Sequence, residues 1–136
     1  MLGMIHLIYG KKGTGKSKKL LDMANTEVSK AHGNIVYIDD NKRCMYDLKH
    51  QIRFINTQDY HINTPDKFYG FICGILSRDF DISSIYIDGL KKIGGYKSDA
   101  LKKLLEGFEK VFHDIDAYIV VSGEDDIPEH LARYIQ

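Results

Sequence analysis

Short, unbroken apolar runs alternate along this chain with stretches in which apolar residues recur every three or four positions. The runs are Met4–Tyr9, Ile35–Ile38, Ile85–Ile87 and Tyr118–Val121. Runs of that length with no polar alternation predict strands buried on both faces. Leu20, Leu21, Ala24 and Val28 predict a helix starting at Lys16, with Gly33 as its stop. Thr64 and Pro65 read as the cap and first-turn proline of a second helix, whose apolar face is Phe68, Phe71, Ile72, Ile75 and Leu76. After a break at Gly94-Gly95, Ser98 or Asp99 opens a third helix. Leu101, Leu104, Leu105, Phe108, Val111 and Phe112 form its buried stripe. A short helix near Met45–His50, a strand over Arg53–Asn56 and a closing helix over Pro128–Tyr134 complete the expected elements.

Continuous apolar strands alternating with amphipathic helices predict an α/β fold: a mostly parallel sheet of about four or five strands, with helices on both faces. No repeat, low-complexity tract or linker interrupts the chain, so residues 1–136 read as one domain. In sheets of this kind ligands bind beyond the carboxyl ends of the strands. Those ends are Gly10–Ser17, Asp39–Asn41, Asp88 and Ser122–Glu124, and each is polar or glycine-rich.

The first end carries the most specific signal. Gly10-Lys11-Lys12-Gly13-Thr14-Gly15-Lys16-Ser17 matches G-x-x-x-x-G-K-[ST] at every fixed position, between a predicted strand and a predicted helix. From average composition the match arises by chance in roughly one in a few hundred chains of this length. Glycines let backbone N–H groups close around phosphate oxygens, and the helix start adds unpaired donors and a positive dipole end. Lys16 is expected to reach the outer phosphates and Ser17 to ligate Mg²⁺. Lys11, Lys12, Lys16, Lys18 and Lys19 make the segment electropositive. Lys11 holds the place where a subgroup of phosphate-loop proteins carries a second lysine that acts in trans.

Asp88, at the end of an apolar strand, is the expected second magnesium group. Hydrolysis further needs a group that orients or deprotonates water. Gly89 follows Asp88, so no carboxylate stands directly next in sequence. Asp39, Asp40 and Glu124 are the remaining acids at strand ends, and Asp40 is the first choice. Ser122 is a candidate sensor of the terminal phosphate, and Arg43 and Arg133 are candidate arginines for its charge.

Composition narrows the partners. With 19 basic and 19 acidic residues the net charge is zero, which argues against a dedicated nucleic-acid or membrane-surface binder. Cys44 and Cys73 form no CxxC pair, and the six histidines form no ligand cluster. No apolar run reaches the roughly 20 residues that span a bilayer. A cytoplasmic location is the resulting expectation. Phe68, Phe71 and Phe108 are read as core residues.

The loop GKKGTGKS and the segments NIVYIDDN, SSIYIDGL and AYIVVSGE together resemble the P-loop NTPase superfamily, most closely a small RecA-like ATP-binding protein of bacteria or phages. The resemblance implies a three-layer fold in which the strand ending at Ser122 lies between the loop strand and the strand ending at Asp88. It also implies that the catalytic acid comes from the end of the second strand, Asp39–Asn41, and that a protein partner or a homo-oligomer can complete the site. Type II thymidine kinases are similar around the loop, but their zinc-binding cysteine quartet is absent here. Three readings follow. The first is a Mg²⁺-dependent ATPase, slow or partner-dependent. The second is a small-molecule kinase, with Asn56–Arg78 as the only room for a lid and acceptor pocket. The third is a nucleotide-gated binding module. No guanine-reading N-K-x-D motif occurs, and the expected ligand is ATP or another nucleoside triphosphate, with Mg²⁺.

Overall fold

The computed structural model describes residues 4–94, 97–124 and 126–135. The elements run β1 (Ile5–Gly10), α1 (Lys16–Glu27), β2 (Asn34–Asp39), β3 (Ile52–Asn56), α2 (Pro65–Arg78), β4 (Ile82–Ile87), α3 (Ser98–Val111) and β5 (Asp116–Ser122). Short 3₁₀ segments cover Met45–Asp47, Thr57–Tyr60, Leu90–Ile93 and Glu129–Tyr134. All five strands join one sheet in the order β1-β5-β4-β2-β3, and every pairing is parallel. The strand ending at Ser122 therefore lies between the loop strand and β4, whose last residue, Ile87, is followed directly by Asp88.

Alternation along each strand splits the core into two layers. Leu20 and Ala24 of α1 pack with Ile35, Tyr37, Tyr86 and Val120 on one face of the sheet. Val36, Ile38, Ile85, Ile87 and Ile119 face the other way, onto Phe68 and Ile72 of α2 and Leu101, Leu105 and Phe108 of α3. Leu20, Ile72 and Phe108 are fully buried. Truncating any of them to alanine is expected to cost about 2–5 kcal/mol of stability. The three helices thus clamp the sheet from both sides, and its carboxyl edge stays open for the connecting loops.

Thr64 caps α2 by accepting a hydrogen bond from the Lys67 N–H at 3.2 Å, and Pro65 occupies its first turn, as the sequence predicts. Three expectations are corrected. Gly33 does not end α1, which stops at Glu27; Gly33 instead lies against the Asp81 carbonyl where Asn34 pairs with it. Met45–His50 forms one 3₁₀ turn and not a helix. The closing segment is also 3₁₀, with Arg133 Nη2 donating to Glu109 Oε1 at 2.7 Å and the Tyr134 hydroxyl donating to the same oxygen. Gly94 is left-handed at φ 75°, as a chain break requires; Gly95 lies outside the described residues.

Candidate functional site

The loop between β1 and α1 takes its shape from two glycines. Gly13 and Gly15 sit at φ 83° and 82°, a region that costs other residues about 1–2 kcal/mol. Gly15 is also the cap residue of α1, with no side-chain cap and no acid in the first turn. The first amides of α1 are therefore left for an outside acceptor. Thr14 Oγ1 donates to the Lys11 carbonyl at 2.7 Å, and Lys16 Nζ donates to the same carbonyl at 2.6 Å. Gly10 packs beneath these two side chains.

Lys16 is the unusual member. It is only 9% exposed, and its ammonium has no carboxylate partner among the described residues. It also donates to the Thr14 hydroxyl at 3.5 Å, and a buried cation held by neutral oxygens alone is poorly compensated. A ligand oxyanion would satisfy it better than the carbonyl does.

Across the gap, Ser17 Oγ donates to Asp88 Oδ2 at 2.6 Å, and the other Asp88 oxygen accepts from the Gly89 N–H at 2.7 Å. Residues 71 positions apart thus meet at the mouth of the loop. A hydroxyl and a carboxylate side by side form a hard oxygen pair. Among the described residues no three His, Cys, Asp or Glu side chains converge on a metal position. The Ser17–Asp88 pair has the donor chemistry of the one or two protein groups that Mg²⁺ takes before water and phosphate complete its shell.

The four strand ends line one cleft of about 480 Å³. Lys12, Gly13, Gly15, Lys16, Ser17 and Lys18 line it from the loop and the start of α1; Asp39, Asp40, Arg43, Asp88, Gly89 and Lys91 line it from the segments that follow β2 and β4. Ser122, Gly123 and Glu124 close an end. Lys11 supplies its carbonyl and Thr14 its hydroxyl to the loop itself, and neither lines the cleft. Arg133 is committed to Glu109 and Tyr134, outside it. No residue of Asn56–Arg78 lines this cleft; Pro65, Asp66 and Tyr69 of that segment line another cavity of about 480 Å³, against α3.

Asp39 is the carboxyl most affected by its surroundings. Burial, reinforced by the charge of Asp88, pushes it up to about 7. Its Oδ1 accepts from the Asp40 N–H at 2.7 Å, and the Cys44 thiol donates to Oδ2 at 3.7 Å. Burial, and then Asp39, push Cys44 up to about 11, so it stays a thiol. Asp40 is also buried, with Asn41 Nδ2 donating to its Oδ1 at 2.7 Å. Sequence reasoning places both acids at the cleft but gives no sign that Asp39 feels Asp88. It also passes over Lys91, which follows Asp88 by three positions on a polar turn.

No protein-family model matches the chain, and no curated protein matches it. No helix among the described residues is long and apolar enough to cross a membrane.

Proposed function

We propose that this chain binds a nucleoside triphosphate, ATP, together with Mg²⁺ on Gly10–Ser17, and hydrolyses it slowly or when a protein partner or second copy completes the site. The reading makes it a small RecA-like P-loop NTPase. The observation that carries it is the Ser17–Asp88 hydrogen bond, which joins the loop to the strand end where the metal group is expected. The buried, carboxylate-free Lys16 and the uncapped start of α1 supply the matching demand for an anion.

In this reading the loop amides and Lys16 hold the phosphates, with the Lys16 ammonium exchanging the Lys11 carbonyl for phosphate oxygen. Ser17 and Asp88 would hold Mg²⁺, which neutralises charge on the outer phosphates. Asp40 takes the proton of the attacking water as the bond to the bridging phosphate oxygen breaks. No residue of Asn56–Arg78 lines the cleft, which supports water over a small-molecule acceptor held by that segment.

Incubation with γ-labelled Mg-ATP and a panel of nucleosides and nucleotides tests the reading. Free labelled phosphate is the expected product. A labelled acceptor would make the chain a kinase, and saturable binding with neither product would make it a nucleotide-gated module. Lys16→Ala is expected to weaken ATP binding at least tenfold by calorimetry, about 1.4 kcal/mol or more. Unchanged affinity in that variant would remove the loop as the site.

A further inference from the structure

The sheet carries one ring from each strand in a single cross-strand row. His6, Tyr118, Tyr86, Tyr37 and Phe54 are successive register partners, and each ring stacks on the next. The row lies on the face that α1 covers, where Leu20 and Ala24 pack with Tyr37 and Tyr86. Beside α1 lies a cavity of about 560 Å³. Tyr86 and Tyr118 line it from the sheet, and Lys19, Met23, Glu27 and Lys30 line it from α1 and the turn that follows. It shares only Gly15 and Lys18 with the loop cleft, and the function proposed above uses none of these six residues.

The charges of this cavity do not satisfy one another. Lys18 and Asp22, which also line it, pair at 2.8 Å. Glu27, Lys19 and Lys30 form no ion pair among the described residues. Tyr86 and Tyr118 stack with ring centroids 5.0 Å apart and planes 9° apart, which holds their hydroxyls side by side. Burial pushes the Tyr86 phenol up to about 12, with the Ser84 hydroxyl opposing and the Glu27 charge adding. Tyr118 is pushed up by burial, then by Asp116 and Glu27. Both phenols therefore keep their protons at neutral pH, serve as hydrogen-bond donors and stand within the field of Glu27.

A ligand that satisfies this set carries both signs of charge. The Glu27 carboxylate calls for an ammonium group, and Lys19, Lys30 and the two phenol protons call for carboxylate oxygens. A phosphate ester would answer the lysines but leave Glu27 facing negative charge, and a polyamine would answer Glu27 but face two lysines. Lys19, Met23 and Glu27 stand on successive turns of α1, about 6 Å apart, so an apolar stem fits between the charged ends. We propose that this cavity is a second binding site, for a small zwitterion of the amino-acid class. Glu27 receives its ammonium and Lys30 its carboxylate, with the phenols of Tyr86 and Tyr118 donating to the carboxylate as well. Lys19, at the far end, favours a side chain that ends in a second carboxylate. Nothing in this inference depends on the nucleotide reading.

The test is an amide NMR titration of the full chain, without nucleotide, by L-glutamate, L-leucine, L-lysine and glutarate, which is glutamate without its ammonium. Glutamate is expected to shift the amides around Glu27, Tyr86 and Tyr118 to saturation and to bind more tightly than leucine. Lysine and glutarate are expected to bind at least about tenfold more weakly than glutamate. Glu27→Gln is expected to lose about tenfold for glutamate and little for glutarate. Tyr118→Phe keeps the ring and is expected to lose about threefold for glutamate. An unchanged urea midpoint in each variant separates lost binding from lost fold. The wild-type ranking of the four ligands decides the case even if a variant folds poorly. Any ranking not led by glutamate, a glutamate affinity untouched by Glu27→Gln, or no saturation by any of the four up to about 20 mM overturns the inference. Each of those outcomes leaves the nucleotide reading standing.

Discussion

Gly89 and Asp40 compete for one volume. A Cβ built on Gly89 would lie 2.6 Å from Asp40 Cγ and 2.8 Å from the Asp40 backbone nitrogen. Asp40, which follows the neighbouring strand β2, occupies the place where a side chain at position 89 would begin. The left-handed backbone of Gly89, at φ 77°, belongs to the same arrangement.

Gly89→Ala is accordingly expected to be strongly destabilising. The added methyl meets backbone as well as side chain, and the positive φ alone costs about 1–2 kcal/mol. A total loss of at least about 2 kcal/mol is expected, read as a lower urea midpoint with an unchanged slope. A variant within about 0.5 kcal/mol of wild type would show that Asp40 and Gly89 are not packed this way.

The Ser17–Asp88 pair makes a separate prediction about magnesium. Asp88→Asn keeps the shape and still accepts the Ser17 hydroxyl proton, but it removes the charge that favours a divalent cation. The gain in ATP affinity on adding Mg²⁺ is expected to fall by about tenfold or more, while affinity in chelator changes little. Calorimetry with and without Mg²⁺ reads both numbers. A variant that keeps the full magnesium response would take Asp88 out of the metal site.

Most of the architecture is legible in the sequence because buried parallel strands leave a signature that does not depend on distant contacts. Ile35–Ile38 and Tyr118–Val121 are apolar on both sides of the pleat, and these two strands, at Asn34–Asp39 and Asp116–Ser122, contain the expected runs whole. The loop is legible for a similar reason, since its chemistry is written in consecutive residues. What is not legible is set by tertiary contacts. The Met45–His50 helix is prevented by Asn25 of α1, which donates from Nδ2 to the Asp47 carbonyl and accepts from the Lys49 N–H. That clamp reaches the turn from 22 positions earlier in the chain. The influence of Asp88 on Asp39, and the packing of Asp40 on Gly89, are invisible for the same reason: they depend on β2 and β4 being neighbours.

Lys16 separates stability from function. Its ammonium is buried against neutral oxygens, the Lys11 carbonyl and the Thr14 hydroxyl, so Lys16→Met replaces a poorly compensated charge with a side chain of similar length that suits an apolar setting. The nucleotide-free variant is expected to be as stable as wild type or more so, by up to about 1 kcal/mol. It is also expected to lack the rise in melting temperature expected of wild type in Mg-ATP, a gain of about 2.7 kcal/mol when ATP is at roughly a hundred times Kd. A variant that is clearly less stable without nucleotide would mean that Lys16 supports the fold itself.

Asp39 should leave a pH signature in buffer free of nucleotide and Mg²⁺. Its carboxyl is pushed up to about 7 by burial first and the Asp88 charge second. Unfolded, it titrates at the ordinary aspartate value of about 4. Between those values the native state holds the proton and the unfolded chain has released it, so native protein binds more protons and stability falls as pH rises. The contribution is fully present below about pH 4 and lost above about pH 7, opposite in sign to a salt-bridged aspartate. Asp39→Asn removes the titration while keeping the size, and it should accept the Asp40 N–H through its amide oxygen. Urea unfolding is expected to show the variant gaining on wild type steadily from about pH 4 to about pH 7, with a constant difference at higher pH. A difference that does not grow across that window would mean that Asp39 titrates as an ordinary carboxylate, and that its burial beside Asp88 is relieved in solution.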